Sequence, residues 1–130
     1  MKSRWLGYIL DSYGVEPDHP FPTNPHTAVF RNIRTRKWFA VLLEQLPLRC
    51  LGLREEGAAD VLNLKCDPIM THSLIDNRRI FHAYHMNKEH WISVLLEGPV
   101  TEDELFFLTD LSYRLVDQAA KPRKMPRRKA

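Results

Sequence analysis

The sequence lacks the short motifs that mark the common catalytic and cofactor sites. It contains no GxSxG, P-loop or GxGxxG stretch, and its histidines form neither an HxH pair nor an HxxxH pair on a secure helix. A hydrolytic enzyme needs a nucleophile beside its base, or paired carboxylates in a pocket. We therefore expect a protein without enzymatic activity, cofactor or bound metal.

Cysteine is scarce as well. Cys50 and Cys66 are the only two, and they do not have CxxC spacing. Two cysteines are too few for a disulfide scaffold, so reduced thiols in a reducing compartment are the simplest interpretation. Cys66 precedes a predicted helix N-terminus, which can lower the pKa of a thiol. Because no histidine can be assigned as its partner, a buried structural cysteine is the favoured interpretation.

Long hydrophobic runs are also missing. No apolar stretch reaches the roughly 20 residues of a membrane-spanning helix. The first residues lead into a periodic polar and apolar segment instead of a signal-peptide core. With 44% hydrophobic and 27% charged residues, the chain fits one soluble domain, predicted over residues 1–120. We expect a cytoplasmic monomer.

The positive net charge of the chain depends on its last ten residues. Residues 121–130 hold six of the 19 basic side chains and no acidic one, so residues 1–120 carry 13 basic against 16 acidic residues. The folded part therefore has no overall basic excess. We expect 121–130 to be a disordered basic tail that binds nucleic acid or other anionic surfaces weakly, with steep salt dependence. A simple solubilising extension is the alternative.

The strongest strand signal lies between Trp91 and Leu96, where Ile92 and Val94 alternate with the side chains of the opposite face. His82–Met86 is the predicted partner strand, joined by a polar turn over residues 87–90. We expect the side with Ile92 and Val94 to lie beneath the helices. If the hairpin loop has an even number of residues, the other face carries Tyr84, Met86, Trp91, Ser93 and Leu95, whereas a bulge would reverse this assignment.

Three further strands are predicted at Thr27–Arg31, Trp38–Leu43 and Asp60–Lys65, with a basic turn over residues 34–37 between the first two. Strand alternation divides the second strand into two faces. If one face, turned to the helices, carries Phe39, Val41 and Leu43, the opposite face carries Trp38, Ala40 and Leu42.

Three helices are predicted from periodicity and end signals. The first covers Lys2–Tyr13 and ends at Gly14. A short one starts at Asp67-Pro68 and runs to about residue 76. A long last helix follows Thr101, which forms a capping box with Glu104. With hairpins instead of βαβ units, this order predicts an α+β fold, a two-layer sandwich in which an antiparallel sheet of about five strands carries the N- and C-terminal helices on one face.

Six segments, in the same order throughout and spanning roughly residues 8–116, resemble the MmcQ/YjbR family. They are Tyr13–Pro17, Val29–Arg31, Lys37–Ala40, Leu64–Pro68, Ala83–Trp91 and Ser112–Val116. The Tyr-His-Met-Asn-Lys run that begins at Tyr84 is the most specific, although His82 stands where the family usually has proline. The resemblance implies a frataxin-like (CyaY-like) α+β fold and DNA binding through a double-wing motif.

If DNA or another nucleic acid is the partner, the hairpin tips are the expected contacts. The residues assigned to phosphates are Arg31, Arg34, Arg36, Lys37 and Lys88. Asn87 and His90 would reach polar groups from the tip. Trp38, Tyr84 and Trp91 would form a stacking face, which suits single strands better than duplex. The alternative is a protein-interaction or small-ligand module on this aromatic face, and aromatic side chains in strands are more often packing residues.

The cluster of His82, His85 and His90 also raises the question of a metal site. His82 and His85 point to opposite faces of an extended strand, so they cannot share a metal ion. Only His85 and His90 could meet, across a two-residue turn. A hydrogen-bonding pair that holds the hairpin together is the favoured interpretation.

Overall fold

The computed structural model describes residues 1–118, which form three α-helices, one 3₁₀-helix and five strands. The helices are α1 (Lys2–Tyr13), α2 (Pro68–Leu74) and α3 (Glu102–Gln118), and the 3₁₀-helix is Leu48–Leu51. The strands are β1 (Thr27–Arg31), β2 (Trp38–Pro47), β3 (Ala58–Lys65), β4 (Ile80–His82) and β5 (Trp91–Leu95). The predicted tail, 121–130, lies outside the described residues. Among residues 1–118, no helix combines the length and apolar character that crossing a membrane requires.

The five strands form one antiparallel sheet in the order β1-β2-β3-β5-β4. Both terminal helices lie on one face, which we call the helix face, while the other face carries none of the described α-helices. The predicted fold class, an α+β protein with about five antiparallel strands and the terminal helices on one side, is therefore confirmed.

The core lies between the sheet and the two long helices. Trp5 of α1 is fully buried, its ring meets Phe30 edge-on at 4.9 Å between centroids, and its Nε1 donates to Thr109 Oγ1 of α3 at 2.9 Å. One tryptophan thus joins both helices to the sheet. Its apolar neighbours in the core include Ile9, Leu42, Leu62, Leu64, Ile92, Val94, Leu105 and Leu108.

The predicted helix ends are confirmed by their hydrogen bonds. Gly14 has a φ of 70°, a left-handed conformation that glycine adopts without strain, and it ends α1. The side chain of Asp67 accepts from the Ile69 N–H at 2.8 Å at the start of α2. Thr101 Oγ1 accepts from the Glu104 N–H at 3.1 Å at the start of α3.

The face assignment considered for β2 is wrong, because a bulge shifts the alternation. Phe30 pairs with Ala40 but Arg31 pairs with Trp38, so Phe39 is an extra residue in β2. Phe39 remains on the helix face against Tyr13, and Ala40 follows it there. The residues whose side is reversed from the considered assignment are Ala40, Val41, Leu42 and Leu43.

The hairpin that contains β5 is present, but its partner strand is displaced from the prediction. β4 covers Ile80–His82 instead of 82–86, and residues 83–90 form a loop in which His85 has a φ of 60°. Ile92 and Val94 face the helices as expected. The ladder ends early because the Tyr84 N–H donates to the Ser93 side chain at 3.0 Å, not to a β5 backbone carbonyl.

Candidate nucleic-acid interface and cleft

Two loops lie at the same end of the sheet, which follows from the strand register. Arg31 pairs with Trp38, so the β1–β2 turn (residues 32–37) lies beyond that end of both strands. Lys65 pairs with Trp91, so the β4–β5 loop (residues 83–90) lies beyond the corresponding end of β3 and β5. We call this the loop end, and the opposite end of the sheet, where β2 joins β3, the far end.

The β1–β2 turn is held by Asn32, which is fully buried. Its Oδ1 accepts from the N–H groups of Arg34 at 2.8 Å and Thr35 at 2.9 Å, while Arg36 takes a left-handed φ of 65°. This is an Asx turn, a local motif that the asparagine itself indicates, although Asn32 is not among the predicted site residues. Its effect is to hold the basic turn in one conformation.

The end of α3 contacts the same turn. Arg34 Nε donates to Asp117 Oδ1 at 3.0 Å, and its Nη2 donates to the Asp117 carbonyl at 2.7 Å. The described chain stops one residue later, at Gln118. In the sequence, the basic segment 121–130 starts four residues after Asp117.

The β4–β5 loop is fastened to the middle of the helix-free face by two buried polar side chains. Asn63 and Ser93 are 1% and 0% exposed and hydrogen-bonded to each other. Asn63 Nδ2 donates to the Tyr84 carbonyl at 3.0 Å, and Ser93 Oγ accepts from the Tyr84 N–H at 3.0 Å. Every polar atom of this contact thus has a partner, as buried polar groups require. Strand alternation around Asn63 gives no sign of this contact.

The cations at the two ends of the sheet differ in their partners. Among residues 1–118, Arg36 and Lys37 form no ion pair within 4.0 Å, nor do Lys65 and Lys88. At the far end, the carboxylates bound by Lys2, Arg4 and Arg79 are Glu44, Asp60, Asp76, Glu102 and Glu104. Within the described chain, three far-end cations are therefore neutralised, although the exposed Arg54 and Arg78 are not paired there, and four cations without ion pairs lie at the loop end.

The remaining basic candidates are partly committed within the protein. Arg31 pairs with Asp18 at 2.9 Å and lies over the Trp38 ring at 5.9 Å, while Arg34 is bound to Asp117. Lys88 Nζ donates to the Ala83 carbonyl at 2.9 Å. These side chains keep their charge, but Arg36 and Lys37 are the exposed candidates with no such attachment among the described residues.

Of the other predicted binding residues at the β4–β5 loop, some are exposed and some are not. Asn87 Oδ1 accepts from the Glu89 N–H at 2.8 Å, and His90 is exposed beside it. Trp91 is only 7% exposed and lies 5.7 Å from Lys65 Nζ, so it presents no open ring for stacking and its expected role is corrected. The His85 ring packs against Tyr84 at 4.0 Å, and no hydrogen bond joins it to His90 within the described chain.

A cleft of about 380 Å³ crosses the helix-free face of the sheet. Trp38, Val41 and Leu43 of β2 line it together with Asn63, and its two sides are the loop segments Phe21–Asn24 and Tyr84–Met86. Phe21 meets Trp38 edge-on at 6.1 Å between centroids. Two of the three predicted stacking residues, Trp38 and Tyr84, therefore share a cleft with an unpredicted third aromatic residue, Phe21.

A second cavity, of about 240 Å³, lies between α2 and α3 and includes Cys66. Burial raises the pKa of the Cys66 thiol, although a hydrogen bond with Thr71 opposes the shift. A raised thiol pKa disfavours the reactive thiolate. Among residues 1–118, no group of three or more His, Cys, Asp and Glu side chains is arranged to hold a metal ion.

The chain is similar to several known proteins over most of its length. Residues 10–115 match the family model YjbR. The uncharacterised protein YyaQ of Bacillus subtilis is 38% identical over 108 residues, which cover 83% of this chain and 91% of YyaQ.

Two solved structures are also similar to this chain. A Pseudomonas syringae protein seen by crystallography is 38% identical with a TM-score of 0.84, over 89% of this chain and 98% of that one. A Deinococcus radiodurans protein is 26% identical with a TM-score of 0.66, over 89% of this chain and 78% of that one. The expected family is confirmed, because the family model matches residues 10–115 and YyaQ is 38% identical over most of both chains: the chain belongs to the YjbR family.

Proposed function

We propose that the protein binds DNA or another nucleic acid at the loop end, as a monomer and without catalysing a reaction. The observation that carries this proposal is the group of four cations at the loop end of the sheet that form no ion pair within residues 1–118. Arg36, Lys37, Lys65 and Lys88 have no carboxylate partner among the described residues. At the far end Lys2, Arg4 and Arg79 have such partners, and Arg54 and Arg78 have none within the same residues.

Unpaired cations on two loops at one end match the geometry that phosphate binding needs. A cation already held by a carboxylate gains less from a phosphate, because the carboxylate must first be displaced. Each phosphate neutralised by a free lysine or arginine releases condensed counterions, so affinity falls steeply with salt. The six cations of segment 121–130, which follows α3 in the sequence, would add further phosphate contacts.

The CyaY-like, double-wing description implied by the sequence resemblance fits this proposal. The β1–β2 turn and the β4–β5 loop would be the two wings. Both are short, carry basic residues and extend from the same end of one sheet, from the two strand pairs on either side of β3. The hydrogen bonds of Asn32 and of the Asn63–Ser93 pair would keep them from rearranging on binding.

The test separates the folded domain from the basic segment. Fluorescence anisotropy with labelled duplex and single-stranded DNA compares the full chain with a variant ending at Ala120. We expect the shorter protein to bind more weakly but measurably at low salt, with a further loss in the double variant Arg36→Ala, Lys37→Ala. If binding disappears entirely on removal of residues 121–130, the domain has no nucleic-acid role.

A second candidate function, a module for a protein partner or small ligand on the aromatic face, is favoured by one observation. The cleft on the helix-free face has the volume and largely apolar lining of a ligand pocket. Thermal-shift screening of the variant ending at Ala120, with metabolites and peptides in place of DNA, would support this candidate if a ligand raised the melting temperature and Trp38→Ala removed the shift.

A further inference from the structure

The cleft is continuous with the loop end, because Trp38 belongs to both. Trp38 is the first residue of β2, follows Lys37 in the chain and pairs with Arg31 across the ladder. From Trp38 the cleft passes Val41 to Leu43, along the strand that leaves the β1–β2 turn. A nucleic-acid strand whose phosphates contacted that turn could therefore reach the cleft.

The lining of the cleft is suited to a planar, neutral, hydrogen-bonding group. It includes the rings of Phe21, Trp38 and Tyr84 and, among the described residues, no carboxylate. The Asn63 amide is occupied by Tyr84 and Ser93. The polar side chains at the cleft walls that could meet the edge of a bound group are Thr23, Asn24 and His85.

We propose that the cleft receives an unstacked base of a single-stranded nucleic acid whose phosphates contact Arg36 and Lys37. This inference rests on the proposed nucleic-acid function and specifies its substrate class. Aromatic side chains beside a cationic path are the usual platform for single strands, since every base offers a ring face for stacking. Cations at one end of the cleft distinguish this occupant from a purely apolar ligand.

Duplex DNA fits this arrangement less well. Bases in a duplex are stacked and paired, and moving one into a cleft costs a few kcal/mol of unpairing and unstacking. The cleft lies on the sheet face between two loop segments rather than on a projecting helix that could enter a major groove. A single strand reaches the same residues without that cost.

The experiment compares two labelled probes, a 12-nucleotide oligothymidylate and a 12-base-pair duplex, on the full-length protein. We expect Trp38→Ala to weaken oligothymidylate binding about tenfold, the usual scale for one stacked base, and duplex binding less than about twofold. Trp38→Phe should retain most of the single-strand affinity. The salt dependence should stay unchanged in both variants, because neither removes a phosphate contact.

The control for the proposed function is the double variant Arg36→Ala, Lys37→Ala, which should weaken both probes. If this variant weakens both while Trp38→Ala weakens neither, or weakens both equally, the base-binding inference is overturned and nucleic-acid binding at the loop end stands. If the unaltered protein binds neither probe, both proposals fail together.

A second measurement uses the unaltered protein and so does not depend on the folding of a variant. Oligothymidylate containing one 5-iodouracil is crosslinked by light, and the attachment site is found by mass spectrometry. We expect crosslinks at Phe21, Trp38 or Tyr84. Crosslinks confined to other parts of the chain would refute the assignment of the cleft.

Discussion

The two faces of the sheet are covered in different ways. On the helix face, α1 and α3 place apolar side chains such as Trp5 and Leu105 against the strands, and the buried hydroxyls of Thr109 and Ser112 add hydrogen bonds. The middle of the other face holds two buried polar residues, Asn63 and Ser93, which bind a loop through its backbone. The two helices pack densely on their face. The β4–β5 loop, which is attached at one point, leaves a cleft beside it on the other face.

The largest expected effect is on the helix face. Trp5→Ala should lower the free energy of unfolding by about 3–5 kcal/mol, because it opens a cavity and leaves the Thr109 hydroxyl without one partner. Urea denaturation measures this loss. The matched control on the same helix is Leu10→Ala, where the side chain is 47% exposed and a change of about 0.5 kcal/mol is expected. Equal effects of the two changes would mean that the helix face is not the main core.

The second prediction concerns the attachment of the β4–β5 loop to the helix-free face. Asn63→Ala should cost about 1–3 kcal/mol, since the Tyr84 carbonyl loses its donor and the buried Ser93 hydroxyl loses its acceptor. Hydrogen exchange should then accelerate across residues 83–90 and remain slow in α1 and α3. Asn24→Ala, at the exposed wall of the cleft, is the control and should leave the exchange unchanged. Acceleration spread uniformly over the chain would contradict a local role for Asn63.

The third prediction is a pH dependence at the far end. Burial opposes ionisation of Asp76, but the N–H of Ile80, the Arg79 guanidinium and the N–H groups of Arg79 and Arg78 together hold its pKa well below the usual range. The unfolded chain therefore takes up this proton more readily than the folded one. The resulting stability is present above the unfolded pKa of about 3.9 and is lost as the pH falls towards the folded pKa.

Thermal melts between pH 6 and about pH 3 test this dependence. The unaltered protein should lose several degrees of melting temperature more than Asp76→Asn over that interval. The reason is that the amide cannot bind the titrating proton. Asp103→Asn, an exposed acid in the first turn of α3, serves as the control. Parallel curves for the protein and Asp76→Asn would show that Asp76 contributes no such linkage.

The smallest expected effect is a difference in the rates at which the two thiols react. Cys66 is buried on the helix face with a raised pKa, whereas Cys50 is half-buried in the 3₁₀-helix. In the native protein a disulfide-exchange reagent should therefore modify Cys50 first and reach Cys66 only at the rate of unfolding. Cys50→Ser should remove the fast phase. A fast phase that survives in Cys50→Ser would place Cys66 at the surface.

Features that depend on neighbouring residues could be predicted from the sequence. Gly14, Asp67 and Thr101 mark helix ends by local backbone chemistry, and all three do so in the structure. Ile92 and Val94 face the helices because strand alternation over five residues leaves little choice. The two basic turns could also be predicted, because each is a short polar segment between apolar runs.

Features that depend on distant residues could not be predicted in this way. The bulge in β2 leaves the Phe39 ring packed against Tyr13 and Tyr113, which belong to two helices at opposite ends of the chain. The β4–β5 loop is set by Asn63, 21 residues from the Tyr84 carbonyl that it binds. Strand alternation gives no information on such contacts, so the predicted partner strand extended too far and Trp91 was assigned to an open face.

The most direct test of the central claim compares equal charge removal at the two ends of the sheet. Arg36→Ala with Lys37→Ala removes two cations at the loop end, and Arg54→Ala with Arg78→Ala removes two exposed cations near the far end. Binding of labelled DNA is measured against salt concentration for both variants. We predict that the loop-end variant lowers the salt slope by about 1.4–1.8, the value for two lost phosphate contacts, and that the far-end variant keeps the original slope. Equal losses in both variants would contradict a nucleic-acid interface at the loop end.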